Sequence, residues 1–491
     1  MAHTVKSTQS TTPFIIICFV SFVAVCVGLA VLLSSPLYIL LLIGGALLLF
    51  LILEKPERSI YICVLLIFVP ICMGKFLGSA VSISYFIIPI VTVLYLFQKF
   101  AKRIFYSLRW RLNPLLIPVL IYFSVVFINY LRNPLLLTDL TELRYAPQGF
   151  RAWFSYLLSF CYYFIFAEVV STDTKITQRA IRFVWQLCFI LTLLGVILIY
   201  SYSAQNILYN LQNQGVFLKS FFDTGRGGLL NTGYGLSTGG YRIGTLGEVA
   251  SIWLILLLAR TCEVKNILRW ILYGFLGYSL ILSGGRSGFA GIVLALSIWM
   301  VIQKKPRYLI ISFMVFLSLY CGTFLFYEAL PESFQRILKI RGSLEQLDVG
   351  RASVFALYWE SFLHHPLFGA GIGSAGFRYS SGLSFLISEQ LRLGGHGTYI
   401  SISYLMGLVG LVPFIWGLVG GLKHSYSLSR KTNDRFNASL AMFCFLFLVY
   451  YLIPMSFGGK GSNMFYFAIL GIVSGICIRR RRGQTLAKVG E

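Results

Sequence analysis

Residues 260–307 read RTCEVKNILRWILYGFLGYSLILSGGRSGFAGIVLALSIWMVIQKKPR, and their reading decides the fold class. Two apolar segments, 270–283 and 287–302, meet at the short joint SGGRSG and are bounded by basic connections, Arg260 to Arg269 and Lys304 to Arg307. Apolar helices joined this tightly suit a bilayer, whose hydrocarbon core of about 30 Å accepts spans of roughly 17–25 residues. Outward from this pair, similar segments run from Phe14 to Ile478: 14–33, 37–53, 60–73, 82–97, 113–130, 154–170, 183–201, 246–259, 308–327, 397–420, 436–453 and 464–478. Composition agrees. The 491 residues are 57% hydrophobic and 12% charged, whereas a soluble domain carries about 25% charged residues. The expectation is an all-α polytopic membrane protein of about fourteen spans, 1–491 forming one transmembrane domain with no soluble domain left over.

The formal charge of +24 would suggest a nucleic-acid partner in a soluble protein, but its position points to topology instead. With a cytoplasmic N-terminus, the inner connections collect 26 of the 41 Lys and Arg, among them Lys99 to Arg111, Lys175 to Arg182, Lys423 to Arg435 and the Arg479–Arg482 run. Every short inner loop is then basic, as the positive-inside rule requires, and a shift by one helix destroys the pattern. Both termini are therefore expected in the cytoplasm, with 479–491 as a basic cytoplasmic tail. The first apolar stretch resembles a signal peptide but lacks a small-x-small cleavage site ahead of a soluble domain, so it reads as an uncleaved helix. The ten cysteines fall within spans or on the inner side, with no CxxC pair. That excludes an outer disulfide framework and a thiolate metal site.

Three outer segments interrupt the helices, 131–153, 202–245 and 328–396, and loops of this length are usually functional or disordered. The longest, between spans eleven and twelve, holds Phe334, Phe355, Trp359, Phe362, Phe368, Phe377 and Phe385, enough apolar surface to fold against the membrane. Within it, 350–364 (GRASVFALYWESFLH) reads as an amphipathic helix because Arg351, Phe355, Tyr358 and Phe362 recur at helical spacing. Pro366 ends it. Gly371, Gly373 and Gly376 make a formal GxGxxG, but no strand precedes them, so turn glycines are expected and not a dinucleotide site. The outer side carries fifteen basic and ten acidic residues. Such an excess runs against orientation and suggests a phosphate-bearing ligand, which guanidinium groups bind bidentately while staying charged.

Four residues stand out. Arg286 sits in the joint between spans nine and ten, where an unpaired charge costs a few kcal/mol. The glycines around it allow close approach, and a helix starting near Ser287 would add positive potential. The alternative is an arginine that snorkels to lipid phosphates. Arg351 opens the loop helix, where side chain and helix N-terminus reinforce each other toward an anion; a solvated loop charge is the other reading. Arg242, in GGYRIGTLGE, is similar, with Glu248 as a structural partner. His396, in LGGHGTYISISYLMG, stands where the loop re-enters the membrane, and its imidazole can take a proton from a hydroxyl at neutral pH. His364 and His365 precede a proline and read as packing or capping residues.

At these residues the chain resembles the O-antigen ligase and O-antigen polymerase superfamily. The similarity spans roughly 230–425 and rests on YRIGTLGE, SGGRSG, GRASVFALYWESFLHHPLFGAGIG and HGTYISISYLMGLVG, in that order. It implies glycosyl transfer at the periplasmic face of a bacterial inner membrane, from a polyprenyl-pyrophosphate-linked oligosaccharide, with no metal and no cofactor. Arg286, Arg351 and Arg242 would bind pyrophosphate, and His396 would act on the acceptor hydroxyl. Ligases often carry Asn after the histidine; here Gly397 follows. A polymerase that moves the growing glycan onto the next lipid-linked repeat is the leading expectation, with lipid-linked donor and acceptor, membrane lipid and a chain-length regulator as candidate partners. A ligase acting on a lipid A core is the alternative, and a flippase for the same lipids is a second one of another class.

Overall fold

The computed structural model describes residues 58–68, 72–76, 79–82, 84–101, 111–132, 147–200, 244–283, 286–304, 358–360, 362–369, 371, 398–457 and 464–490. In chain order these form α1 (Ser59–Phe68), β1 (Cys72–Phe76), β2 (Ser79–Ser82), α2 (Ser84–Ala101), α3 (Leu116–Arg132), α4 (Pro147–Thr172), α5 (Thr174–Tyr200) and α6 (Gly244–Leu258). There follow α7 (Asn266–Leu282), α8 (Arg286–Ile302), α9 (Thr398–Lys431), α10 (Arg435–Phe457) and α11 (Met464–Gly490). Among the described residues the architecture is helical apart from one antiparallel hairpin, in which Cys72 pairs with Ser82 and Phe76 with Ser79. The reading of 60–73 as a single span is corrected here: α1 ends at Phe68, and Pro70, which has no N–H to donate, follows two positions later.

Residues 174–197 of α5, α9 and 435–456 of α10 are long and apolar enough to cross a membrane, and seven further apolar helices of 10–17 residues accompany them. The chain is thus a helical membrane protein, and among the described residues these helices number fewer than the fourteen expected spans. The expected spans 14–33, 37–53 and 308–327 lie outside the described residues.

Small residues let the helices close on one another. α11 packs on α4 through Gly471 and Gly475, a small-xxx-small pair that gives helices close contact where lipid offers no hydrophobic drive. A methyl at Gly471 would stand 2.5 Å from the Tyr163 carbonyl oxygen, and one at Gly475 2.6 Å from Val170 Cβ. Across this seam the Tyr163 hydroxyl lies 3.1 Å from Ser474 Oγ and accepts from Asn113 Nδ2 at 3.0 Å. Buried polar groups are thereby satisfied. Nearby, the Phe414 ring meets Tyr466 at 4.6 Å and Tyr122 at 5.6 Å between centroids.

The basic connections gather at one end of the bundle. Asp173 caps α5 by accepting from the amides of Lys175 (2.7 Å) and Ile176 (3.1 Å). Asp434 caps α10 through Phe436 N at 2.9 Å. The expected basic tail is, through Gly490, a continuation of α11. Its first arginine, Arg479, donates to Asn437 Oδ1 at 2.9 Å and to the Val170 carbonyl. Burial lowers the Arg479 pKa to about 10 against the pull of Asp434 and Asp173, so the group stays charged at neutral pH.

Candidate functional site

α9 is two helices. Gly407 has φ 63° and ψ −161°, a region open to glycine and costly for any side chain. It divides the element into arms 398–406 and 408–431. The rings of Tyr399 and Phe414 lie 6.1 Å apart, whereas fifteen residues of straight helix would separate those positions by about 22 Å. The first arm therefore folds back along the second. This corrects the reading of 397–420 as one span: 408–431 supplies the long helix, and 398–406 is a short arm returning toward the level of Phe414.

A break of this kind orphans backbone groups on either side of it, and the large loop supplies their partners. Leu408 N donates to Pro366 O at 2.8 Å, Val409 N to Leu367 O at 3.1 Å, and Gly371 N to Leu405 O at 3.0 Å. Gly369 (φ 66°) and Gly407 interlock so closely that a methyl on the first would stand 2.5 Å from Leu405 C, and one on the second 2.3 Å from Leu367 O. Tyr358, 3% exposed, sets its ring edge-on to Tyr404 at 4.6 Å. Irregular backbone survives in a membrane protein where protein covers it or a cavity adjoins it. Two motifs that are separate in sequence, HPLFGAG and SYLMG, are thus one joint.

A second corner forms where α7 meets α8. Ser283 closes α7 by donating its amide to Ser279 O at 3.0 Å and its hydroxyl to Leu280 O at 2.6 Å. α8 begins at Arg286, one residue ahead of the start expected near Ser287, so Arg286 lies on a helical N-terminal turn whose amides favour an anion. Gly247 of α6 seats against Ser283; a methyl there would be 2.6 Å from Oγ. Tyr450 of α10 fills the far side, its carbonyl 2.5 Å from a methyl placed on Gly291 and its hydroxyl 3.7 Å from one on Gly288. Glycine and serine contacts bring four helices together where Arg286 emerges.

Both assemblies fall in a stretch with a known counterpart, since residues 271–415 match the O-antigen ligase family. That match supports a likeness to the O-antigen polymerase and ligase superfamily over this stretch. The matched stretch runs from α7 past the break in α9 and contains Arg286, Arg351 and His396; Arg242 precedes it. The match suggests a glycosyltransferase-type activity, and that family works on lipid-linked saccharides in general. No curated protein matches the chain.

The structure describes the flanks of the candidate residues more fully than the residues themselves. Arg242, Arg351 and His396 lie outside the described residues, and of Arg286 the backbone is described. The flanks meet in pairs. α6, which starts two residues after Arg242, packs against the Ser283 corner beside Arg286. Tyr358 and Gly369, downstream of Arg351, dock on the arm that begins two residues after His396. α10 packs on both α8 and α9 and so joins the two pairs.

Thr398, which sequence reasoning passed over, is fully buried at the start of the arm, and its Oγ1 has no hydrogen-bond partner among the described residues. His364 and His365 have exposed side chains. The His365 carbonyl accepts from Gly369 N at 2.9 Å, a capping role carried by backbone. Gly371 has φ 95°, in keeping with a turn glycine, while Gly373 and Gly376 lie outside the described residues. Among the described residues no group of His, Cys, Asp and Glu is disposed to hold a metal ion.

Proposed function

We propose that this protein is a polysaccharide polymerase, which transfers a growing glycan from polyprenyl pyrophosphate to a hydroxyl of the next lipid-linked repeat at the periplasmic face of the inner membrane. The supporting observation is the joint of Gly369 with Gly407, which ties the segment following Arg351 to the arm following His396. In this reading about fourteen spans carry the site, and both termini are cytoplasmic. Loop 328–396 is the large periplasmic insertion.

The acceptor oxygen attacks the anomeric carbon from the face opposite the leaving group. The bond from that carbon to the pyrophosphate oxygen breaks, and the configuration inverts. Negative charge grows on the diphosphate, where Arg286, Arg351 and Arg242 stabilise it; fixed donors in a partly dehydrated site are well suited to this. The hydroxyl proton passes to His396, and general-base assistance of that kind contributes roughly 10²–10⁴-fold.

Purified protein given nothing but the lipid-linked repeat should build a ladder of chain lengths. The ligase reading, favoured by the name of the matched family, predicts no ladder and transfer to a lipid A core instead. His396→Ala should insert normally and lose transfer. A flippase would keep moving lipid-linked sugar in that variant.

A further inference from the structure

The stretch from Tyr358 to Gly369 docks on α9 by one side and leaves another side open. It is helical at 358–360 and 362–364, and residues four apart on a helix share a face, so its side chains sort into three strips. Tyr358 is buried against Tyr404. Trp359 and Leu363, one turn apart, are 52% and 60% exposed, and Leu367 beyond the helical turns is 58% exposed. Glu360 and His364, also one turn apart, are exposed on the polar side. A strip of large apolar side chains therefore lies between a strip held by protein and a strip of polar groups.

The second arm of α9 indicates what covers the apolar strip. Arg430 and Lys431 lie in its last turn, and Leu408 stands about 33 Å from Arg430 along the helix axis, close to the thickness of a bilayer core of about 30 Å. The joint is thus at the membrane boundary opposite the basic connections. Leu408, Val412, Trp416 and Val419 recur at helical spacing and are exposed, a lipid-facing stripe on a helix long enough to cross a membrane. The bonds from Leu408 N to Pro366 O and from Val409 N to Leu367 O set Leu367 at the head of this stripe. The open apolar side of the loop segment is continuous with the surface that lipid covers.

We propose that the stretch from Trp359 to Phe368 is an interfacial anchor, whose apolar strip enters the leaflet opposite the basic connections while Glu360 and His364 stay toward water. Its occupant is phospholipid. An indole suits this level, since Trp settles where apolar and wet regions meet, and amphipathic segments sink about 5–10 Å into the headgroup boundary. The anchor holds the joint of Gly369 with Gly407 at headgroup depth, where the phosphates of a lipid-linked substrate lie. That consequence, unlike the anchor itself, rests on the polymerase reading.

The full chain in phosphatidylcholine vesicles, with a photoreactive diazirine amino acid in place of Leu363 or Leu367, tests this. The same substitution at Val412 is the lipid control and at Glu360 the water control. After irradiation, mass spectrometry should find phospholipid adducts at 363 and 367 at a yield like that at 412, and mainly water adducts at 360. Should the photoreactive variants not assemble, Trp359→Phe gives a second measurement: quenching of tryptophan emission by phospholipid brominated high on its acyl chains should diminish in that variant. Water adducts at 363 and 367, adducts to this chain or to a second copy of it, or quenching unchanged in Trp359→Phe overturn the anchor. Lipid adducts at both positions, in a protein whose wild type forms no polymer, keep the anchor and remove the polymerase reading.

Discussion

Gly407→Ala isolates the joint on which the candidate site depends. The added methyl would stand 2.3 Å from Leu367 O, 2.4 Å from Leu367 C and 2.7 Å from Gly369 N. All three are backbone atoms, so no side-chain rotation relieves the overlap. The backbone conformation, φ 63° and ψ −161°, costs a residue with a Cβ about 1–3 kcal/mol. Separating the segments to relieve the clash also breaks the bonds from Leu408 N, Val409 N and Gly371 N, each worth about 0.5–1.5 kcal/mol net. Together these come to about 2.5–7.5 kcal/mol, which is roughly 10²–10⁵ in the ratio of closed to open joint.

The helices behind the joint are untouched by this change, so the protein should still insert and unfold near its normal temperature while polymer formation collapses. Hydrogen exchange followed by mass spectrometry should show amides 405–409 losing protection. Gly274→Ala is the matched control, because a methyl there meets nothing within 4 Å. It should keep full activity. Normal polymer yield from Gly407→Ala, with amides 405–409 still protected, would refute the claim that the joint holds the site together.

Gly475→Leu should prevent assembly of the bundle, since even a methyl at that position lies 2.6 Å from Val170 Cβ; recovery of monodisperse protein in detergent would contradict the α4–α11 seam. Arg479→Ala removes charged hydrogen bonds to Asn437 and the Val170 carbonyl, interactions of about 1.5–3 kcal/mol. Its thermal midpoint should drop, with partial recovery in Arg479→Lys; an unchanged midpoint removes that clasp. Burial raises the Cys262 thiol pKa, while the Thr261 hydrogen bond and Arg182 act to lower it. The reactive thiolate therefore appears at higher pH than in a free thiol. A membrane-impermeant maleimide should label Cys262 from the cytoplasmic face alone and slowly at pH 7, with the rate still rising at pH 9. Labelling from the periplasmic face would invert the topology.

The helical membrane class and the basic end of the bundle could be read from the chain, because hydropathy and charge act locally and leave their pattern in consecutive residues. Arg286 at a helix start was legible too, since SGGRSG both breaks and begins an apolar run. Other features could not be read this way. Nothing in LMGLVG distinguishes a glycine that bends α9 back on itself from one that merely packs. The difference lies in whether Pro366 and Leu367, some forty residues earlier, arrive to take up the orphaned amides. The small-xxx-small pair Gly471 and Gly475 is visible in the sequence, but its partner on α4 is not. Local sequence determined the helical membrane class and the gathering of basic connections. Which backbone groups find distant partners was decided by packing between segments far apart in the chain.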